Sequence, residues 1–205
     1  MAILLLRHGE TALNAVRIMQ PADTPLSERG LAQARAVAQR LARRGGIGAI
    51  VSSDLPRAWL TAQAAAEALA LPVQPNALLQ ERNFGELRGR PYDQLGFDPL
   101  VMQQAPAGGE SAAAFVQRVE QAFADLLHRR AALQGDLLVV THGLLIRTML
   151  AGPLRQDAGS VEALHLGNTS LTIFDATPPH ALQLLNCARH LDDAEREHVS
   201  SLSGG

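Results

Sequence analysis

Lysine is absent from this chain, and all 18 basic residues are arginine. That absence excludes a P-loop lysine, a Schiff-base lysine and a lysine general base. Cysteine is nearly absent as well. Cys187 stands alone, so no internal disulfide can form, which suits a reducing cytoplasm. No basic segment precedes the N-terminal apolar stretch, and that stretch is too short for a signal peptide, so none is expected. No apolar run is long enough to span a bilayer, so no membrane is expected as a partner. A net charge of −2 gives no reason to expect nucleic acid either. The composition itself is globular. Of 205 residues, 47% are hydrophobic and 19% charged, which is too apolar for disorder and ample for one buried core.

Short apolar runs alternate with helical patterns along the chain. Ile3–Leu6, Ile47–Val51 and Leu137–Val140 are unbroken and apolar, the pattern of strands buried on both faces. Ser27 is placed to cap a helix whose inner face carries Leu31, Ala34, Val37, Ala38 and Leu41, and Gly45-Gly46 end it. Ser52-Ser53-Asp54 are expected to cap the next helix, with Pro56 in its first turn and Trp59, Ala62 and Ala66 along it. Pro72–Gln74 suits a short edge strand. Residues 82–109 are irregular and rich in Gly, Pro and Arg, as a lid over a binding site is. A long helix is expected over 111–133, with Phe115, Val119, Phe123 and Leu126-Leu127 inward and Arg129-Arg130 on its surface. Another is expected from Leu144 to about Leu150. Val161–Leu166 and Ser170–Phe174 alternate like the strands of a hairpin turning at Gly167-Asn168, and Leu182–Leu185 suggests one more strand. From about residue 192 the chain is polar and is expected to be loose. Strands alternating with helices predict an α/β fold. It would be a three-layer sandwich with a mainly parallel sheet, an antiparallel edge and helices on both faces.

Two of the apolar runs end alike, in His8-Gly9 and in His142-Gly143. In an open α/β sheet, ligands bind beyond the carboxyl ends of the strands. Arg7 precedes His8, and Arg57 falls in the first turn of the helix after the second run. A planar guanidinium suits a phosphate, and so does a helix N-terminus. Glu81 opens the irregular segment that can cover such a site. Two histidines, two arginines, a carboxylate and Asn14 form a coherent phosphoryl-transfer set. One histidine attacks phosphorus, the cations hold the equatorial oxygens, and the carboxyl group protonates the leaving oxygen. A metal site built from His8, His142 and Glu81 is disfavoured. The His-Glu-x-x-His pattern is missing, and the flanking arginines would repel a cation.

These segments resemble the histidine phosphatase superfamily, also known as the phosphoglycerate mutase-like family. The resemblance is carried by Leu6-Arg7-His8-Gly9-Glu10-Thr11 with Asn14, by Pro25–Gly30, and by Ser52-Ser53-Asp54-Leu55-Pro56-Arg57-Ala58. It continues through Glu81-Arg82-Asn83-Phe84-Gly85, Gly108-Gly109-Glu110-Ser111, Val139–Gly143, Asn168-Thr169-Ser170 and His190-Leu191. It implies one histidine phosphatase domain over 1–205, with a phosphoglycerate mutase-like fold. His8 would be the nucleophile that becomes phosphohistidine. Arg7, Arg57 and His142 would form the phosphate pocket, joined by Asn14 and the Gly143 amide. Glu81 would be the proton donor and later the base for water, and Gln20 would touch the substrate. No metal and no organic cofactor is implied.

Within that family, a mutase using a bisphosphoglycerate cofactor carries a longer segment after the glutamate, with Lys and a paired Arg. Here no Lys exists, and no Arg-Arg pair lies between Glu81 and Gly109. Hydrolysis of a small-molecule phosphate ester is therefore favoured over mutase activity. A noncatalytic phospho-ligand binder is disfavoured, since a binder needs neither a nucleophile nor an acid. Arg82, Arg88 and Arg90 are left between substrate contact and solvated loop. His128, His165, His180, His190 and His198 are taken as surface or structural, and the oligomeric state is left between monomer and homodimer.

Overall fold

The computed structural model describes residues 1–156, 161 and 164–196. Six strands form one sheet: β1 (Ala2–Arg7), β2 (Ile47–Ser52), β3 (Val73–Pro75), β4 (Asp136–Thr141), β5 (Leu171–Asp175) and β6 (Leu182–Cys187). Their order is β3-β2-β4-β1-β5-β6. The first four are mutually parallel, and β5 runs antiparallel between β1 and β6. The unbroken apolar runs follow from this placement. Ile3 and Leu5 of β1 enter a core on one face with α4 (Ala112–Ala131) and α5 (Gly143–Ala151). Leu4 and Leu6 enter a second core on the other face, with α2 (Glu28–Arg44) and α3 (Pro56–Leu69). A strand covered on both sides has no position for a polar side chain. The expected three-layer α/β sandwich is the architecture found.

Several local expectations need correction. Ser27 does cap α2, accepting the Gly30 amide at 3.0 Å, but Leu31 faces outward, 38% exposed. Gly30 and Gln33 take the inner positions instead. A Cβ on Gly30 would stand 2.0 Å from the Glu10 carbonyl oxygen, so the missing side chain lets α2 lie against the segment after β1 and fixes its rotation. The N-cap of α3 is Leu55, with no side-chain cap. Arg130 is no surface residue. It is 2% exposed, four positions beyond buried Leu126 on the inner stripe of α4, and donates to the Leu133 carbonyl at 3.1 Å.

The hairpin is also different. β5 pairs with β6, not with a strand at 161–166. The described residues 164–167 are irregular, and Leu164 and Leu166 pack into the α4–α5 core, which accounts for their apolar alternation. Residues 162–163 of that stretch lie outside the described residues. At the tail, 193–196 form a helical turn, and Glu195 accepts from Gln33 at 3.1 Å and lies 3.4 Å from Arg29. The loose-tail expectation otherwise falls on 197–205, outside the described residues. No helix among the described residues is long and apolar enough to cross a membrane.

Gly30→Ala should be destabilising, because its methyl group meets backbone that cannot rotate away. The expected cost is about 1–3 kcal/mol, read as a lower urea midpoint, the range for overpacking a buried contact. An unchanged midpoint would mean that α2 can retreat from Glu10 at no cost.

Candidate active site

The register of β1 on β4 sets the site. Arg7 pairs with Thr141, so His8 and His142 each follow one residue later at adjacent strand ends. The His8 amide donates to the Thr141 carbonyl at 2.9 Å. The two imidazole centroids are 5.2 Å apart and tilted by 59°. Val140 pairs with Ser52, which brings the end of β2 and the start of α3 to the same mouth.

His8 is 2% exposed, and its Nδ1 lies 2.7 Å from the Gly9 carbonyl oxygen. A carbonyl only accepts, so Nδ1 carries the proton and Nε2 keeps its lone pair. Burial, then Arg57 and Arg7, hold the His8 pKa well below 6.5. The ring is therefore neutral at pH 7. His142 is fully buried, and burial with Arg57 and His8 depresses its pKa in the same way. Its Nε2 is 2.8 Å from Ser53 Oγ, and its Nδ1 has no hydrogen-bond partner among the described residues.

The two guanidiniums are buried too. Arg7 donates to the Leu166 carbonyl, and Arg57 to the Pro21 carbonyl at 3.2 Å. Desolvation lowers both pKa values to about 10, and Glu81 is the main charge opposing that shift. Gly143 presses on Arg7, since a Cβ there would lie 3.3 Å from Arg7 Nε. Glu81 Oε2 accepts the Leu144 amide at 3.0 Å, at the start of α5, and Oε1 accepts the Arg82 amide at 3.2 Å. Each carboxylate oxygen retains lone-pair capacity beyond these bonds. Arg118 steadies the stretch, donating to the Leu78 and Gln80 carbonyls at 2.9 and 2.7 Å while paired with Glu110.

A cavity opens at this mouth. Of the expected site residues it is lined by His8, Gln20, Arg57 and Glu81. Arg7 and His142 pack behind that lining. Asn14 is 4% exposed and does not line the cavity. Its Oδ1 accepts the Thr11 amide at 3.3 Å, part of the capping box of α1 (Ala12–Ala15). Thr11 in turn donates to Gln20 at 2.9 Å. Arg82 is a strut that donates to the Glu110, Met102 and Gln104 carbonyls.

Other groups are visible only in three dimensions. Ser53, read from the sequence as part of a helix cap, sits on His142. Thr61 accepts the Gly9 amide at 3.0 Å and donates to the Arg57 carbonyl at 2.7 Å. Asn168 Nδ2 and the Thr169 amide both donate to the His8 carbonyl, at 3.1 and 3.3 Å. Thr169 holds a left-handed φ of 53° and bonds His190 Nε2 at 2.9 Å, and Arg40 bonds the other nitrogen of that ring at 3.3 Å. Tyr92 lines the cavity beside Glu81, and so does Arg88, which the sequence left between substrate contact and solvated loop.

Comparison with known proteins agrees with this geometry. The sequence profile of the histidine phosphatase superfamily (branch 1) matches residues 3–187, and the chain belongs to that family. It is 36% identical over 201 residues to a bifunctional protein of Mycobacterium tuberculosis, covering 92% of this chain and 54% of the relative. The chain thus spans about half the length of that curated relative. It is also 36% identical over 183 residues to a probable phosphoglycerate mutase of Yersinia pestis, covering 84% of each. Among solved structures, it resembles a mycobacterial glucosyl-3-phosphoglycerate phosphatase in complex with VO3, with a TM-score of 0.78 and 31% identity over 91% of this chain and 98% of that one. A phosphoserine phosphatase mutant from Entamoeba histolytica, in complex with phosphoserine, matches with a TM-score of 0.78 and 28% identity, over 93% and 98% of the two chains.

The buried histidines make stability depend on pH. His8 and His142 stay neutral in the fold well below 6.5, and burial with Arg40 pulls His190 down to about 4. The unfolded chain protonates the same rings near pH 6.5, so below that pH it binds more protons than the fold, and stability falls with pH. The slope reaches up to about 1.4 kcal/mol per pH unit for each ring. Urea midpoints measured from pH 7 to pH 5 should fall, and a His8→Asn, His142→Asn double variant should show a shallower slope. A wild-type midpoint that stays constant over this range would contradict the depressed values.

Proposed function

We propose that this chain is a phosphatase that hydrolyses small-molecule phosphomonoesters through a phosphohistidine at His8, without a metal. One observation carries the reading: a buried neutral imidazole with its Nε2 lone pair free, set between two desolvated guanidiniums and beside a carboxylate. His8 Nε2 attacks phosphorus, and the bond to the leaving alcohol oxygen breaks. Arg7, Arg57 and His142 hold the phosphoryl oxygens, with the Asn14 amide and the Gly143 amide as further donors and Gln20 at the substrate. The ring gains positive charge on phosphorylation, and its Nδ1 proton on the Gly9 carbonyl stabilises that charge. Glu81 in its acid form protonates the departing alkoxide. As a carboxylate it then takes a proton from the water that attacks phosphorus, which releases inorganic phosphate and restores His8. Electrostatic stabilisation comes from the arginines, where other phosphatases use a metal. Residues 82–109 act as the lid, and a single buried thiol suits a reducing cytoplasm.

The two phosphatases of similar structure support hydrolysis. The name of the Yersinia relative favours a second reading, phosphate transfer within phosphoglycerate. Assays of phosphomonoester hydrolysis and mutase turnover, run side by side in EDTA, separate the two. Hydrolysis should persist in EDTA and exceed mutase turnover. His8→Ala should abolish it with the fold intact, and wild type quenched during turnover should carry a base-stable, acid-labile phosphate at His8. Full activity in His8→Ala would remove the mechanism.

Glu81 has a test of its own. An alkoxide needs a proton as it leaves, whereas nitrophenolate does not. Glu81→Gln should slow the phosphoenzyme burst from alkyl phosphates far more than from p-nitrophenyl phosphate, by ~10²–10⁴-fold, the usual scale of general acid catalysis. Equal slowing of both would assign Glu81 to positioning.

A further inference from the structure

The cavity at His8 holds more positive charge than one phosphoryl group calls for. Three arginines line it: Arg57, Arg82 and Arg88. The first two have protein partners, Arg57 the Pro21 carbonyl and Arg82 three carbonyls of the 102–110 stretch. The Arg88 guanidinium has no hydrogen bond and no ion pair among the described residues. Its surroundings offer only desolvation, which holds its pKa below the usual arginine value, and Arg57 repels it. Among the described residues Glu81 is the only carboxylate in the lining, and its two oxygens already accept backbone amides.

Arg88 is not carried on a free loop. Its amide donates to the Gly85 carbonyl at 3.1 Å. Just beyond it, the Gly89 amide donates to the Met19 carbonyl at 2.7 Å, the Met19 amide to the Arg90 carbonyl at 3.0 Å, and the Tyr92 amide to the Arg17 carbonyl at 3.0 Å. Ile18 and Pro91 form an antiparallel bridge between the same two segments. The backbone around Arg88 is therefore pinned against 17–19, the stretch that leads to Gln20. Tyr92 and Gln20 line the same cavity with neutral polar groups, and burial raises the Tyr92 pKa to about 12, so its hydroxyl keeps its proton. A half-buried guanidinium held in place with no protein anion has lost hydration that only a ligand can return.

We infer that the substrate carries a second anionic group besides the phosphoryl group it loses, and that Arg88 receives that group and sets specificity for it. A carboxylate and a second phosphate share the required chemistry, since a planar guanidinium binds either in bidentate fashion. This rests on the hydrolase reading of the site.

The test compares substrates that differ only at the far end. One pair is 3-phosphoglycerate and glycerol 3-phosphate, and the other is fructose 1,6-bisphosphate and fructose 6-phosphate. Wild type should prefer the doubly anionic member of at least one pair by ~10-fold or more in kcat/KM, the scale of a charged hydrogen bond. The carboxylate pair and the phosphate pair then tell which anion is used. Arg88→Met should bring that ratio close to one, and Arg88→Lys should retain part of it. Hydrolysis of p-nitrophenyl phosphate with ratios near one in both pairs would overturn this inference and leave the hydrolase reading standing. A preference that survives Arg88→Met would also overturn it. If no ester is hydrolysed, the hydrolase reading fails, and calorimetric titration of the same four compounds into wild type and Arg88→Met decides the binding preference alone.

Discussion

A neutral imidazole has to be kept between two guanidiniums, and the rest of the structure answers to that constraint. Water would weaken every term. It would screen Arg7 and Arg57, let His8 titrate near its ordinary value and hydrate its Nε2 lone pair. Burial removes the water, but it then strands two cations in a region of low polarity. The Leu166 and Pro21 carbonyls and the charge of Glu81 offset part of that cost. An anionic ligand of the kind proposed would offset the remainder, so its binding and the stability of the site would be one linked quantity.

The second layer around the site is built from backbone and small side chains. Thr61 ties Gly9 to α3, Ser53 orients His142, and the Asn168-Thr169 turn grips the His8 carbonyl. Thr169 is β-branched yet left-handed, a conformation that needs outside support. His190 and Arg40 supply it through the threonine hydroxyl. A histidine outside the cavity lining thus bears on the turn that holds the His8 carbonyl.

The central sheet was legible because its strands are buried on both faces, so β1, β2 and β4 read as continuous apolar runs, and β1 and β4 end in the same His-Gly. That repetition predicted adjacent strand ends, and the register of Arg7 on Thr141 places them so. What failed had a long-range cause. Leu31 and Arg130 exchanged the faces expected of them, because helix rotation is set by a close approach at Gly30 and by the depth of the α4 core. Leu164 and Leu166 pack on that core, and the turn after them serves His8 and joins no hairpin. The Asn14 carbonyl oxygen accepts the Thr11 amide, a local bond of the α1 capping box that spacing alone does not show. Tyr92 was not legible as a cavity residue and Arg88 was left open, because their position depends on backbone pairing with 17–19, some seventy residues earlier.

The position of β1 has a consequence for synthesis. It is the first strand made, yet it lies between β4 and β5, two strands of the second half of the chain. Until the ribosome has released both, the strand that carries His8 has neither neighbour, and its apolar side chains have no sheet to enter. Arg7 likewise waits for Leu166, and the His8 carbonyl for Asn168. Of the six strands, the first to emerge is thus among the last to acquire its neighbours. The nascent chain must hold an adhesive strand unpaired until β4 and β5 follow it, and the surroundings of His8 form only when the sheet is closed around it.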